Sequence, residues 1–276
     1  RLCAMNLYLH GIGGENESPV LAGHDSLAAP YGDLFSMVLT NPPFGTKSSV
    51  SFVNDEGDLE KKADAVIRED FWAAGSNKQL NFVQHIYSLL KVNGRAAVVV
   101  PDNVLFEGGA GEKVRRMLMQ TCDVHTLLRL PTGIWYATGV KANVIFFDKK
   151  AGSEKAWTKK LWVYDLRTNK HFTLKQQPIQ RSDFNEFVEL YQPDAIHKRK
   201  PTYSEKNPEG RWRCYDYDEI IKRDKTSLDL FWLKDESLID GDTLPDPGII
   251  ANEIVDDLQT ALEMFQRIAT ELGDDE

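Results

Sequence analysis

The tetrapeptide Asn41-Pro42-Pro43-Phe44 contains the groups best suited to chemistry in this sequence. The Asn41 side-chain oxygen and the Pro42 main-chain carbonyl are hydrogen-bond acceptors, and the two prolines stiffen the loop that carries them. Together they can accept both N–H groups of a planar amine, draw its nitrogen toward tetrahedral geometry and free the lone pair for reaction. Phe44 offers an aromatic face on which an extruded base can stack. The pattern indicates group transfer to an exocyclic amine, with no need for a metal.

The same tetrapeptide is compatible with a purely structural role. Asn-Pro-Pro after a strand is an ordinary loop signal, and an aromatic residue behind it often fills the core. Its position favours the chemical interpretation. The segment LFSMVLT at residues 34–40 reads as a buried strand, and ligands of open α/β sheets bind at the carboxyl ends of strands.

Hydrophobic periodicity predicts alternating helices and strands around this loop. We expect helices at Leu2–His10, from Asn77 to Leu90 (closed by Asn93-Gly94), at Glu112–Thr121 and at Asp183–Tyr191, and a long amphipathic helix at Gly248–Leu272. Strands are expected at Pro19–Ala22, Leu34–Thr40, Ala96–Val100, Val124–Leu130, Asn143–Asp148 and Leu161–Leu166, with Asn143–Asp148 in an antiparallel hairpin at the sheet edge. Gly45–Gly75 is expected to be a long loop with at most one short helix, and His197–Arg213 a polar linker.

Helices alternating with wholly apolar strands indicate a parallel sheet covered on both faces. The predicted fold class is therefore α/β, with the second half of a doubly wound, Rossmann-like sheet and a C-terminal helical extension. We expect three parts: residues 1–150 with the sheet, residues 151–247 as an extension and linker, and residues 248–276 as a helix for packing or subunit assembly.

Composition limits the classes of protein to be considered. The chain has 276 residues, 42% hydrophobic and 27% charged, and a net charge of −9. A protein that grips DNA by itself usually carries a basic excess, so a partner or another segment is expected to supply that grip. No apolar run reaches the roughly 18 residues of a membrane span, and the protein is expected to be cytoplasmic. Three scattered cysteines support neither a disulfide framework nor a zinc site.

Several segments together resemble one family. The loop is similar to motif IV of amino-methyltransferases, and its surroundings resemble the methyltransferase (M) subunits of type I restriction-modification systems. The matching segments are AMNLYLHG at 4–11, VLTNPPFG at 38–45, SNKQLNFVQHI at 76–86, GRAAVVVPDNVLFEGG at 94–109, LRLPTGIWYATGVKANVIFF at 128–147 and WVYDLRTNKHF at 162–172.

The resemblance implies transfer of a methyl group from S-adenosylmethionine to the exocyclic amine of adenine in DNA, on a class I methyltransferase fold. Asn41, Pro42 and Phe44 would orient and stack the adenine, and Pro43 would shape the loop. Asp25 corresponds to the carboxylate that accepts a hydrogen bond from the cofactor's adenine amine, although a turn or helix cap is an alternative role. Trp135 and Tyr136 lie where later target-base contacts are expected, or simply pack.

The resemblance also implies partners: DNA, a second methyltransferase subunit, a specificity subunit and, in the full complex, a restriction subunit. One departure is plain. The family's glycine-rich cofactor motif and its ribose-binding acidic residue precede all the matched segments, and Gly11-Ile12-Gly13-Gly14 follows a helix and does not replace them. Because Arg1 is preceded by no Met, we expect a fragment that binds S-adenosylmethionine weakly and is inactive alone.

Two other functions remain open from the residues. The same loop suits enzymes that methylate protein glutamine or an RNA base, since both present a planar amine. A non-catalytic assembly module would explain the final helix and the acidic balance. Within the predicted linker, four basic residues around Trp212 form either a local phosphate-binding patch or a solvated surface; they are Arg199, Lys200, Arg211 and Arg213.

Overall fold

The computed structural model describes residues 2–14, 18–20, 25–45, 49–53, 59–63, 66–135 and 139–235, with the single positions 248, 255 and 262. The chain divides into two units, Arg1–Leu233 and Lys234–Glu276. In the second unit, Gly248, Val255 and Leu262 are helical; the rest of the helix predicted for residues 248–272 lies outside the described residues. None of the described helices is long and apolar enough to cross a bilayer.

The described part of the first unit contains helices and strands in mixed order. They are α1 (Leu2–Leu9), β1 (Phe35–Thr40), β2 (Ser49–Val53), β3 (Leu59–Ala63), α2 (Lys78–Leu89), β4 (Leu90–Pro101), α3 (Asn103–Phe106), α4 (Ala110–Thr121), β5 (Cys122–Arg129), β6 (Ala142–Lys149), β7 (Lys160–Asp165), α5 (Asn185–Tyr191), β8 (Trp212–Asp216) and α6 (Tyr217–Ile220), with short 3-10 turns at Arg181–Phe184, Pro193–Lys198 and Asp224–Thr226.

Six of these strands form one mixed sheet in the order β1-β4-β6-β5-β7-β8. β1 pairs with β4 in parallel, and β5 pairs with β7 in parallel, while β6 runs antiparallel to both of its neighbours. β8 pairs antiparallel with β7. The prediction of a hairpin at the sheet edge is therefore wrong in position, because β6 inserts between β4 and β5. The sheet also continues through β7 and β8, beyond residue 150.

Alternate side chains of the strands belong to two separate hydrophobic clusters, as the pleat of a sheet requires. Val98 and Val100 of β4 pack with Leu118 and Met119 of α4 in the first cluster. Val99 packs with a second cluster, which contains the aromatic residues Trp162, Tyr164, Phe187 and Trp212. The sheet thus has an apolar layer on each face.

β1 is a strand as predicted, but the expectation that it is buried is wrong. Phe35, Met37 and Leu39 are 42%, 52% and 71% exposed, whereas Val38 packs on the first cluster. The reason lies in the topology: β1 is the outermost strand, and among the described residues only β4 pairs with it. β1 therefore has apolar side chains on both of its faces, but only one face is largely covered.

Three further predictions differ from the structure. Residues 45–75 contain the antiparallel pair β2 and β3 instead of a loop with a helix. α2 ends at Leu89, and Asn93 adopts its left-handed conformation (φ 66°) inside the range of β4. The predicted linker at 197–213 reaches into β8, and Trp212 is fully buried. Of the strand predicted at Pro19–Ala22, positions 21 and 22 lie outside the described residues, and Pro19 and Val20 form a bend.

Candidate active site

The Asn41–Phe44 loop leaves the sheet at the carboxyl end of β1. Thr40 pairs with Val98 of the parallel strand β4, so the loop begins close to Pro101, the last residue of that strand. Asn41 is exposed and Pro42 is half-buried. No described residue donates a hydrogen bond to the Asn41 side chain. Its amide oxygen therefore remains available as an acceptor at the edge where α/β sheets bind ligands.

The remainder of the loop borders the sheet, although Pro43 and Phe44 are exposed. Pro42, Pro43 and Phe44 border a crevice of about 10 Å³ that is closed on its other side by Pro101 and Gln79, among others. A crevice of this size holds at most about one water molecule. The two prolines and the contacts at this crevice restrict the movement of the loop.

Phe44 remains 38% exposed, and its ring meets Trp135 edge to face, with centroids 5.8 Å apart and an interplanar angle of 62°. The structure thus brings together two of the aromatic residues predicted to contact the base; Tyr136 lies outside the described residues. Gly133, with φ 80°, fixes the path of the Trp135 segment. A Cβ there would lie 1.9 Å from the Phe172 carbonyl oxygen, so no larger residue fits.

A polar network lies beneath the loop, and no sequence pattern predicts it. Asn103 donates from Nδ2 to Gln79 Oε1 at 2.7 Å, and Asn77 donates from Nδ2 to Glu107 Oε2 at 2.7 Å. Asn77 also caps α2, because its Oδ1 accepts the main-chain N–H groups of Gln79 and Leu80 at 3.0 and 3.3 Å. This network joins the start of α2 to α3 directly behind the crevice that Gln79 lines. In the sequence alone, SNKQLNF is only a matching stretch, without roles for its residues.

Asp25 is exposed, and its Oδ1 accepts the main-chain N–H of Leu27 at 2.9 Å. This is the local turn role that the sequence leaves open. Burial lowers the pKa of His85 in α2, and the nearby Asp25 charge opposes that shift. Since a carboxylate accepts several hydrogen bonds and one is used in the turn, Asp25 keeps the capacity to accept one from a cofactor amine.

The basic patch considered for residues 199–213 does not form an exposed surface as a whole. Arg199 is 6% exposed and Trp212 is fully buried in the second cluster. Arg211 donates from Nη1 to the Asp165 carbonyl oxygen at 2.8 Å. Arg199, Arg211 and Trp212 thus pack around β7 and β8, so the interpretation as a solvated linker is wrong for them, whereas Lys200 and residues 204–209 are exposed as that interpretation expects.

Comparison with known proteins decides the family. Residues 1–227 match the family model described as N-6 DNA Methylase. The chain belongs to the N-6 DNA methylase family. The acceptors of the exposed loop, its parallel-strand setting and its aromatic neighbours are thus features of a member of that family.

Relatives of this N-6 DNA methylase chain are subunits of type I restriction enzymes. It is 38% identical to the StySPI methylase subunit of Salmonella potsdam and to the EcoKI methylase subunit of Escherichia coli strain K12, over 99% of this chain and 54% of each relative. The crystal structure of the EcoKI M protein aligns with a TM-score of 0.68 at 36% identity, over 99% of this chain and 58% of that one. The chain spans about half the length of these relatives.

The comparison confirms the predicted resemblance and the predicted α/β fold class, with a mixed, Rossmann-like sheet of the class I methyltransferase type. It does not test the roles of Asp25, Asn41, Pro42, Pro43 and Phe44. Those roles remain predictions.

Proposed function

We propose that the complete protein is the methyltransferase subunit of a type I restriction-modification system and methylates the N6 amine of adenine in DNA. The observation that carries this proposal is the exposed Asn41–Phe44 loop at the carboxyl end of β1, in a chain of the N-6 DNA methylase family. The 38% identity to two type I methylase subunits supports the choice of system.

In this proposal the loop activates the amine. The Asn41 side-chain oxygen and the Pro42 carbonyl oxygen accept its two N–H groups, which localises the nitrogen lone pair for attack. Phe44, 38% exposed, stacks on the base after it leaves the duplex, and the edge of Trp135 limits the tilt of that aromatic ring. Pro43 keeps the loop close to Pro101. The prolines and the packing beneath them reduce the reorganisation needed at the moment of reaction.

The methyl donor is S-adenosylmethionine, which supplies an electrophilic methyl group when it is bound. Asp25 would hold the adenine amine of this cofactor through the capacity left free by its turn. The partners expected are DNA, a second methyltransferase subunit, a specificity subunit and a restriction subunit. With a net charge of −9, the chain is expected to depend on the specificity subunit for most of its contact with phosphates.

The test is methyl transfer by the complete natural polypeptide, assembled with its specificity subunit. Radiolabelled S-adenosylmethionine is offered with DNA, RNA or protein, and modified nucleosides are identified by mass spectrometry. We expect N6-methyladenine in DNA only. Asn41→Ala should lower kcat by at least about a hundred-fold, since it removes one of the two acceptors. Binding of S-adenosylmethionine, measured by calorimetry, should be unchanged.

A matched control is Asn185→Ala, which removes an amide side chain at the start of α5 and should leave kcat unaltered. Methylation of protein glutamine or of RNA, with none in DNA, would sink the proposal and favour the other acceptor classes. An active Asn41→Ala enzyme would remove the loop from the mechanism.

A further inference from the structure

Arg167 lies just beyond β7 and contacts three separate segments of the sheet. Its Nη1 and Nη2 donate to Asp102 Oδ2 and Oδ1 at 2.8 and 2.9 Å, a bidentate pair. Nε donates to the Leu130 carbonyl oxygen at 2.9 Å, and Nη2 donates to the Ala142 carbonyl oxygen at 2.8 Å. A guanidinium has five N–H donors in a rigid fork. Nearly all of that capacity is used here.

The three segments are the ones that border the aromatic side of the candidate active site. Leu130 precedes, and Ala142 follows, the part of the chain that contains residues 132–135, called here the Trp135 loop, in which the Trp135 ring contacts Phe44. Asp102 directly follows Pro101, which borders the crevice under Pro42, Pro43 and Phe44. Arg167 therefore links the Trp135 loop to the Pro101–Asp102 turn, in addition to the main-chain pairing of Pro101 with Ala142 and of Asp102 with Lys141.

Arg167 is itself held in a fixed orientation. Its main-chain N–H donates to Asp165 Oδ1 at 2.8 Å, and Asp165 Oδ2 accepts from Arg129 Nη1 at 2.7 Å. Asn143 completes the arrangement by donating from Nδ2 to Asp102 Oδ1 at 2.8 Å. The Arg167 side chain is 11% exposed. Such a buried, multiply bonded guanidinium keeps its geometry when a ligand enters the neighbouring site.

We propose that Arg167 is a positioning residue for the methylation reaction: it holds the Trp135 loop and the Pro101–Asp102 turn in register with the base-binding loop. The inference rests on the proposed function and extends it to a residue without direct contact to the reacting amine. A misplacement of about 1 Å in such a site costs up to about a hundred-fold in rate. Arg167 thus acts on kcat through Trp135, Pro101 and Phe44.

The experiment compares the complete natural protein with Arg167→Lys and Asp102→Asn. Lysine keeps the charge but cannot reach Asp102, Leu130 and Ala142 together, and asparagine keeps the size of Asp102 without its charge. We expect kcat for DNA methylation to fall by about ten- to a hundred-fold in both variants. The KM for S-adenosylmethionine should stay within about two-fold of the parent value, because the hydrogen bonds that both substitutions remove lie on the base side of the site.

Arg199→Lys is the matched control. Arg199 is similarly buried and donates from Nη1 to Thr126 Oγ1 at 3.0 Å, but within the described residues it has no hydrogen bond to the Trp135 loop or to the Pro101–Asp102 turn. Its substitution should lower thermal stability as much as Arg167→Lys does and leave kcat unchanged. A kcat loss equal in both arginine variants, or a parallel rise in the KM for S-adenosylmethionine, would overturn the positioning role.

Amide hydrogen exchange provides a readout that does not depend on the reaction. In Arg167→Lys, the amides of residues 132–135 and of α3 should exchange faster than in the parent, and in Arg199→Lys they should not. A parent protein that methylates no DNA would contradict the proposed function, yet this exchange pattern would still support the structural role of Arg167. Unchanged exchange in all variants, with an active parent, would refute the inference alone. If Arg167→Lys does not fold, kcat and amide hydrogen exchange are both measured in Asp102→Asn.

Discussion

Burial and the ion pair with Arg167 shift the pKa of the Asp102 carboxyl group in opposite directions. Burial by itself would raise the pKa of Asp102, but the hydrogen bonds and charge of Arg167, aided by the Asn143 amide, more than offset it and hold that pKa below its ordinary value. The folded state therefore binds this proton less readily than the unfolded chain does. Asp102 consequently stabilises the fold at pH values above its unfolded pKa of about 3.9 and loses that contribution as the pH falls through its lower folded pKa.

Asp102→Asn should lower the free energy of unfolding by about 1–3 kcal/mol at neutral pH, since the ion pair with Arg167 is lost and its geometry is only partly replaced. The difference between parent and variant should shrink as the pH falls below about 4, because the unfolded parent then binds a proton at Asp102 that the folded parent does not. Urea unfolding at a series of pH values measures this. Asp216→Asn is the control, because Asp216 is 71% exposed in its pair with Lys160 and should contribute nearly nothing. A difference that stays constant down to a pH of about 3 would contradict the assignment to Asp102.

Candidate site residues could be selected from the sequence where they adjoin one another, and their roles stay predictions. Asn41, Pro42, Pro43 and Phe44 form one motif, and its chemistry follows from their functional groups. Arg167 could not be found in the same way, because its partner Asp102 is 65 residues away and no spacing rule connects them. Contacts over such separations are set by the strand order, which pairs β5 with β7 and inserts β6 between β4 and β5.

α2 is the element on which the floor of the candidate site depends. Its first turn is capped by Asn77, and it carries Gln79 to the crevice. Asn77→Ala should cost about 1 kcal/mol of stability through loss of the cap. Asn77→Ser retains a capping oxygen but loses the amide donor to Glu107, so it should recover more than half of that loss. Thermal unfolding monitored by circular dichroism compares the two variants, and equal losses would show that the Glu107 contact matters more than the cap.

Helices and strands were easiest to predict where the hydrophobic periodicity and the flanking turn residues indicate the same element, as for α2, α4, β5 and β7. Prediction failed for segments whose structure depends on pairing between strands and not on a local sequence pattern. The hairpin of β2 and β3 has no alternating pattern in its second strand, LEKKA, and it is formed by the antiparallel pairing of Ser49–Val53 with Leu59–Ala63. The segment before β8 resembles a linker because its polar residues outnumber its apolar ones, but Trp212 and Arg199 are drawn into the second cluster by packing.

At the scale of the first unit, buried arginines join segments that are far apart in the chain. Arg115 in α4 donates to the carbonyl oxygens of Thr226 and Val104 at 3.1 and 2.9 Å, which joins residues near 226 to α3 and α4. Arg167 joins β7 to the ends of β4 and β6 in the same manner. These long-range hydrogen bonds could not be predicted from the amino-acid composition, because the number of arginines does not indicate which main-chain oxygens they contact.

The exposed face of β1 is a second feature of the first unit as a whole. Met37 and Leu39 line an open cavity of about 210 Å³ with Ala97 and Phe146, and β1 ends the sheet order. An apolar edge strand exposed in this way favours association between chains. The isolated chain of 276 residues should therefore self-associate in sedimentation velocity experiments, and Leu39→Lys should shift it toward monomer, because a charge on the edge opposes strand pairing. Val188→Lys, at a residue 49% exposed on α5, adds the same charge elsewhere and should leave the distribution unchanged. If both lysine variants dissociate the chain equally, net charge and not the β1 edge governs association.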